Sequence, residues 1–348
     1  MDKNGSHQGI LGVHHVTAIA GDPQKNINFY TGFLGLRLVK LTVNFDDPST
    51  YHLYYGDESG RPGTILTFFP WQGLPQGHSG TGQVVTTSFL VPENALEYWV
   101  DRLKEHKIKF SGPTPRFENN EQVIKFNDPG GMELELVAHN AAEERKHYVW
   151  NSGPIPEAYA ARGFYSVTLC LEGYERTASI LTENLGFSGP KHDGNRFRFE
   201  IDGQEATAPG DNGSGSNTSN TFTSVVDIVC LPYAQRASMG VGSVHHVAWR
   251  TPTDESQYEV RRKIIEAGLN ATPVIDRTYF HSVYFREPGG VLFEIATDPP
   301  GFTVDQNLAD LGQKLQLPKW LEPDRDRLEK TLPNLRLPTI DQFSKNKK

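Results

Sequence analysis

The feature that most constrains this chain is a repeated strand. Val13-His14-His15-Val16-Thr17-Ala18 returns as Val244-His245-His246-Val247-Ala248-Trp249, and each copy follows a glycine, Gly12 or Gly242. After the first copy comes an amphipathic stretch, Pro23 to Phe33, with Ile27, Phe29, Tyr30 and Phe33 at helical spacing. Short strand-like segments follow at Arg37 to Val43, Tyr51 to Tyr55 and Thr64 to Phe69. The last copy repeats this order, with a helix expected over Glu255 to Ala267 and strands over Ala271 to Asp276, Ser282 to Arg286 and Val291 to Ala296.

Two weaker copies lie between. The first takes Val84 to Val91 as a strand, Ala95 to His106 as a helix, and Gln122 to Asn127 and Met132 to Ala138 as strands. The second opens at Phe164 to Leu171 and closes at Phe222 to Cys230. The pattern is βαβββ, four times. Such a unit cannot cover its own apolar face, so units must pair. The expected fold class is therefore α+β, four βαβββ modules paired into two lobes. The expected divisions are an N-terminal lobe at 10–140 (modules one and two), a C-terminal lobe at 160–300 (modules three and four) and a helical extension at 301–348. Within the extension, Leu308 to Leu315 and Trp320 to Leu332 read as helical pieces. Asp211 to Asn220 is rich in Gly, Ser and Asn and reads as a loop, and Ser344 to Lys348 as a frayed end.

Chemistry enters through a misplaced charge. Glu294 sits in the apolar strand Phe293-Glu294-Ile295, where an unpaired carboxylate is expensive to bury. A divalent cation removes that cost. Two imidazoles and one carboxylate on neighbouring strands form the facial triad that suits iron(II), so His15, His246 and Glu294 are the candidate metal ligands. A lone strand histidine is usually a satisfied core residue. Repetition of the doublet, with a carboxylate closing the second module that carries it, argues otherwise here. Aligning the closing strands puts Thr67, Glu135, Asp227 and Glu294 in register. Thr86 and Ser166 replace the histidines of modules two and three. The inner pair should hold no iron, and one metal site is expected, shared by modules one and four.

Taken together, Leu11 to Thr17, Phe29 to Lys40, Tyr51 to Tyr55, Gly56 to Pro70, Arg162 to Phe164, His245-His246 and Arg277 to Ala296 resemble the vicinal oxygen chelate superfamily. Within it, the chain looks most like the ring-cleaving dioxygenases of the para-hydroquinone or extradiol type. The resemblance implies the glyoxalase-like fold, iron(II) as the metal with manganese(II) as the alternative, and a small aromatic substrate with O2. It implies that Arg277 and Thr17 bind substrate and that Tyr284, His245 and His14 serve catalysis. Trp249, Tyr279, Phe280 and Phe285 are expected to flank the ring. A glyoxalase-like isomerase or lyase, and a resistance protein that binds a quinone or drug, are the rival functions on the same fold.

Composition excludes other classes. The 348 residues carry 42 acidic and 34 basic side chains, a net charge of −8 without a basic stripe, so neither nucleic acid nor an anionic membrane is an expected partner. No apolar run approaches a membrane span, and Met1 to Gly9 lacks an apolar signal core. The only two cysteines, Cys170 and Cys230, sit in strand-like runs and suit a reducing compartment, so a cytoplasmic location is expected. Assembly into a homo-oligomer is compatible with the sequence.

Overall fold

The computed structural model describes residues 9–118, 120–204 and 221–338. The loop expected over Asp211 to Asn220 and the terminal Ser344 to Lys348 lie outside the described residues. Module one comprises β1 (Val13–Ala20), α1 (Pro23–Ile27), β2 (Arg37–Val43), β3 (Tyr51–Gly56) and β4 (Ile65–Pro70). Asp22 caps α1 by accepting from the backbone N–H groups of Gln24 and Lys25, and Pro23 occupies the first turn, where its missing N–H costs nothing. The helix continues as a wider π-turn, Asn28–Phe33, that buries Phe29, Tyr30 and Phe33.

Module two runs β5 (Gln83–Val91), α2 (Leu96–Glu105), β6 (Phe110–Arg116), β7 (Glu121–Asn127) and β8 (Glu133–Ala138). Module three runs β9 (Phe164–Leu171), α3 (Glu175–Ser179), β10 (Ser188–Asp193), β11 (Arg196–Gln204) and β12 (Thr221–Cys230). Module four runs β13 (Val244–Thr251), α4 (Asp254–Glu266), β14 (Ile275–Asp276), β15 (Phe280–Arg286) and β16 (Leu292–Pro300). The four βαβββ units are thus all present. Sequence reading placed neither α3 nor β11 inside module three, and it missed β6 and β10 as well. Both are edge strands that contain Gly-Pro and stay largely exposed, so neither shows the alternation that marks a half-buried strand.

Two eight-stranded sheets result, in the orders β14-β15-β16-β13-β1-β4-β3-β2 and β10-β11-β12-β9-β5-β8-β7-β6. Module one therefore shares a sheet with module four, and module two with module three. This corrects the consecutive lobes expected at 10–140 and 160–300, because each sheet takes one module from each stretch. The physical reason is the seam: the two His-His strands, β1 and β13, pair antiparallel with each other, as do β5 and β9. Val16, Val247, Phe293 and Ile295 are fully buried in the main core, each contributing about 1.5–3 kcal/mol.

The extension after Pro300 is less helical than expected. Leu308 to Leu315 holds only a 3-10 turn, Leu308–Asp310, and Trp320 to Leu332 holds a turn, Glu322–Asp324, and α5 (Arg325–Thr331). The segment instead straps the exposed edge of β2. Gln316 N donates to Leu41 O at 2.9 Å. Lys40, fully buried, donates to Phe302 O, Asp305 Oδ1 and Gln306 Oε1 at 3.1, 2.5 and 2.6 Å. No helix among the described residues is long and apolar enough to cross a membrane.

Candidate metal centre

Neighbouring residues of a strand normally face opposite sides of a sheet, which would part the two histidines of each doublet. The seam solves this with two bulges. Val13 pairs Trp249 and His15 pairs Ala248, so His14 is the extra residue in β1. Thr17 pairs His246 and Ala18 pairs Val244, so His245 is the extra residue in β13. A bulge re-aims a side chain without disturbing the rest of the ladder. As a result His14 Nδ1 lies 2.9 Å from His15 Nδ1, and His245 Nδ1 lies 2.8 Å from His246 Nδ1. The outer nitrogen of each second histidine is thereby engaged, and its Nε2 is directed inward.

There the three candidate ligands meet. His15 Nε2 is 3.3 Å from His246 Nε2 and 3.3 Å from Glu294 Oε2, and His246 Nε2 is 2.9 Å from Glu294 Oε2. Ligands about 2.1 Å from an ion and at right angles to one another stand about 3.0 Å apart, so the triangle has the dimensions of one octahedral face. Among the described residues, this is the group of three His, Cys, Asp or Glu side chains that could hold a metal ion. Glu294 Oε1 accepts from Ser282 Oγ at 2.5 Å, whereas Oε2 is fully buried with no hydrogen-bond partner. An orphaned carboxylate oxygen facing two imidazole nitrogens fits a cation.

The electrostatics agree. Burial pushes the Glu294 carboxyl upward, but His15 and His246 outweigh it and hold the group well below the usual carboxylate range. Burial lowers His246, with Glu294 opposing. Burial and His246 pull His245 down to about 3, and burial and His15 lower His14. The directions favour an ionised Glu294 carboxylate and a neutral His246, the forms that bind metal.

A cavity of about 420 Å³ opens over the triangle, walled by His15, His246, Thr17, His245, Arg277 and Tyr284 among others. Arg277 pairs with Asp46 at 3.0 Å and lies 5.5 Å from the Tyr284 ring centre. Burial and the Glu294 charge raise the Tyr284 hydroxyl, with Arg277 and Ser282 opposing, so it stays protonated at neutral pH. His14 is different: it is buried behind His15 and does not line the cavity, so its reach ends at the ligand's outer nitrogen. Of the expected ring-flanking aromatics, only Phe280 lines the cavity. Trp249 and Phe285 pack against Phe293 in the core, and Tyr279 packs on Phe302. Phe45, Phe69 and Trp71 take that place instead, together with His52 and Tyr54. Those two stand two apart on β3, and the Tyr51 to Tyr55 stretch carried a signal that could have found them.

The second sheet repeats the architecture with other chemistry. Its seam carries bulges at Val85 and Tyr165, the counterparts of His14 and His245. Its carboxylates face guanidinium groups. Arg198 spans Glu121 and Asp227, with Nε 2.8 Å from Asp227 Oδ1. Arg116 spans Glu121 and Glu135 at 2.8 and 3.0 Å. Burial raises Glu121, but Arg198 and Arg116 bring it down to about 2.

Fold and site together define a protein of four paired modules with, among the described residues, one candidate centre of two histidines and one carboxylate. Residues 12–136 and 160–295 match the family model of the Glyoxalase/Bleomycin resistance protein/Dioxygenase superfamily. The chain is 45% identical, over 92% of its own length and 96% of the relative's, to a Bacillus subtilis protein named "Putative ring-cleaving dioxygenase MhqO". It is 31% identical to a chlorohydroquinone/hydroquinone 1,2-dioxygenase of Sphingobium indicum, over 93% of this chain and 96% of that one. A crystal structure titled as that of a "putative dioxygenase" from Bacillus subtilis matches with a TM-score of 0.84 at 42% identity, covering 95% of this chain and 99% of the other. The chain belongs to this superfamily and, within it, to the ring-cleaving dioxygenases.

Proposed function

We propose that the protein is an iron(II)-dependent enzyme that opens the ring of a hydroquinone- or catechol-like aromatic with O2, with His15, His246 and Glu294 as ligands. The observation that carries this reading is the Glu294 oxygen left without a hydrogen bond between two imidazoles, which themselves line a cavity walled by aromatic rings. Iron(II) held there would supply open positions for substrate and oxygen and a path for electrons between them. Manganese(II) suits the same donors.

The chain's own residues have distinct tasks. Tyr284, protonated and beside the triangle, donates a hydrogen bond to an oxygen of the ring or of dioxygen. Arg277 offsets the charge of a phenolate. His245, neutral and bordering the cavity, is suited to move a proton, whereas His14 keeps His15 in the tautomer that frees Nε2. Thr17 offers a hydroxyl within the cavity. Phe280, Phe69 and Trp71 stack on or exclude water from the ring. A glyoxalase-like reaction fits less well, because Thr67 stands where a second carboxylate would be needed. The two cysteines are unpaired, which supports a cytoplasmic setting.

The deciding experiment loads the purified protein with iron(II) under anaerobic conditions and follows oxygen uptake with a panel of hydroquinones and catechols. Uptake by the wild type and its loss in Glu294→Gln is the expected result. A protein that binds about one iron per chain but consumes no oxygen with any of them is not this enzyme.

A further inference from the structure

Four polar side chains form a row along one wall of the cavity and hydrogen-bond to none of the three candidate ligands. Tyr54 Oη lies 2.8 Å from His52 Nδ1, His52 Nε2 lies 2.8 Å from Thr67 Oγ1, and Thr67 Oγ1 lies 2.8 Å from Thr17 Oγ1. They come from three adjacent strands, since Thr67 pairs with Thr17 on one side and with Tyr54 on the other. Thr17, His52 and Tyr54 border the cavity, whereas Thr67 is fully buried behind them.

The row has only two consistent states. A neutral imidazole has one N–H and one lone pair, so it donates at one nitrogen and accepts at the other. Burial, with His15 and His246 adding to it, holds His52 well below its ordinary value, so it is neutral at pH 7. If Tyr54 donates to Nδ1, then Nε2 donates to Thr67, Thr67 donates to Thr17, and the Thr17 proton is offered to the cavity. If Thr17 accepts from the cavity instead, its proton goes to Thr67, every bond reverses, and Tyr54 offers its O–H. The two ends are coupled through a residue that no substrate touches.

We propose that Tyr54, His52, Thr67 and Thr17 form a proton relay with both ends open to the cavity, carrying a proton between two oxygens of the reacting molecules. The proposal rests on the ring-cleavage reading above. A phenolic O–H hands its proton to Tyr54 Oη. The Tyr54 proton moves to His52 Nδ1, the Nε2 proton to Thr67, the Thr67 proton to Thr17, and the Thr17 proton to an oxygen that gains charge as the ring opens. One proton enters, one leaves, no electron moves, and the four side chains end in the opposite polarity. A transfer in the opposite direction, with one proton taken up from cavity water at Thr17 and one released to it at Tyr54, resets them.

Thr67→Val tests this, because it is nearly isosteric and lies outside the cavity. General acid–base transfer contributes 10²–10⁴-fold, so kcat should fall about 100-fold, with KM within about twofold and metal content unchanged. His52→Phe should cost about the same, and the double variant no more, because a serial path is broken only once. The dependence of kcat on the deuterium fraction of the solvent should be curved in the wild type and straight in both variants. A Thr67→Val enzyme with wild-type kcat, or losses that multiply in the double variant, would overturn the relay. Should the wild type itself take up no oxygen, the ring-cleavage reading fails, and ¹⁵N-histidine spectra of the metal-free protein decide the relay separately. The His52 Nδ1 signal is expected to move in Thr67→Val although valine removes a partner only from Nε2. An unmoved Nδ1 signal overturns the coupling.

Discussion

Ser282→Ala removes one hydrogen bond and asks whether the Glu294 carboxylate is oriented for a cation. Ser282 Oγ donates to Glu294 Oε1 at 2.5 Å, and both residues are fully buried. A hydrogen bond to a charged group contributes about 1.5–3 kcal/mol. The other oxygen, Oε2, is the one aimed between His15 and His246. Without the serine, Oε1 loses that partner and the carboxylate is free to turn. If the loss falls on the metal-bound form, affinity drops about 10- to 100-fold, since 1.4 kcal/mol is tenfold. That is also the range seen when a partner of a metal ligand is removed. If the loss falls equally on the metal-free form, affinity is unchanged and the fold alone is weakened. Titration against a competing chelator gives the dissociation constant, and urea unfolding of the metal-free protein gives the stability. The expected result is a 10- to 100-fold weaker site with most of the stability kept. An unchanged dissociation constant together with a destabilised metal-free protein would refute the argument.

Tyr284→Phe should lower turnover about 100-fold, the size of one lost donor to a developing oxyanion, while bound iron measured by mass spectrometry stays at the wild-type level. Arg277→Ala should raise KM about tenfold and change kcat less, as steady-state oxygen uptake would report. Glu135→Gln, in the second sheet, should leave activity within about twofold. It should nonetheless destabilise by about 1–3 kcal/mol in urea unfolding, because it strips a charged partner from the largely covered Arg116. The metal-free protein should lose stability as pH falls below about 6.5. His14, His52 and His245 are depressed by burial in the folded state, to about 3 for His245. The unfolded chain therefore takes up the protons first, at up to about 1.4 kcal/mol per pH unit for each histidine. A flat urea midpoint between pH 7 and pH 5 would contradict those buried neutral histidines.

The modules and the convergence of His15, His246 and Glu294 were legible because both leave marks that composition cannot hide. A doublet repeated in equivalent strands, and a carboxylate in an apolar strand, each conflict with the ordinary cost of burial. The bulges at His14 and His245 left no such mark, since one extra residue in a strand changes neither composition nor periodicity over so short a span. Without them, alternation separates the doublets, and the exclusion of His14 from the cavity could not be read. Parity does explain two of the misplaced aromatics. Trp249 stands three residues after His246 and Phe285 one after Tyr284, so alternation sends both to the opposite face from the site, where the structure has them. Phe69 and Trp71 lie where β4 ends and a connector begins, and no strand pattern extends across that junction. The pairing of module one with module four was implied by the shared triad, whereas consecutive lobes follow only from chain order.

The register between closing strands explains why one fold holds two chemistries. In the sheet of modules one and four Tyr54 lies opposite Thr67 and Tyr284 opposite Glu294. In the second sheet the same positions pair Lys125 with Glu135 and Arg198 with Asp227. Tyrosine cannot neutralise a carboxylate at neutral pH, so Glu294 depends on the two imidazoles or on an ion between them. Lysine and arginine can, and Arg198 sits within hydrogen-bond distance of both Asp227 oxygens. The cross-strand partner thus decides whether a buried carboxylate is available to a metal. Placing histidines at Thr86 and Ser166 would not by itself create a second centre, because Arg198 and Arg116 would still hold the carboxylates. Converting the second cleft requires removing those cations as well, and each removal leaves buried acids unpaired until an ion binds.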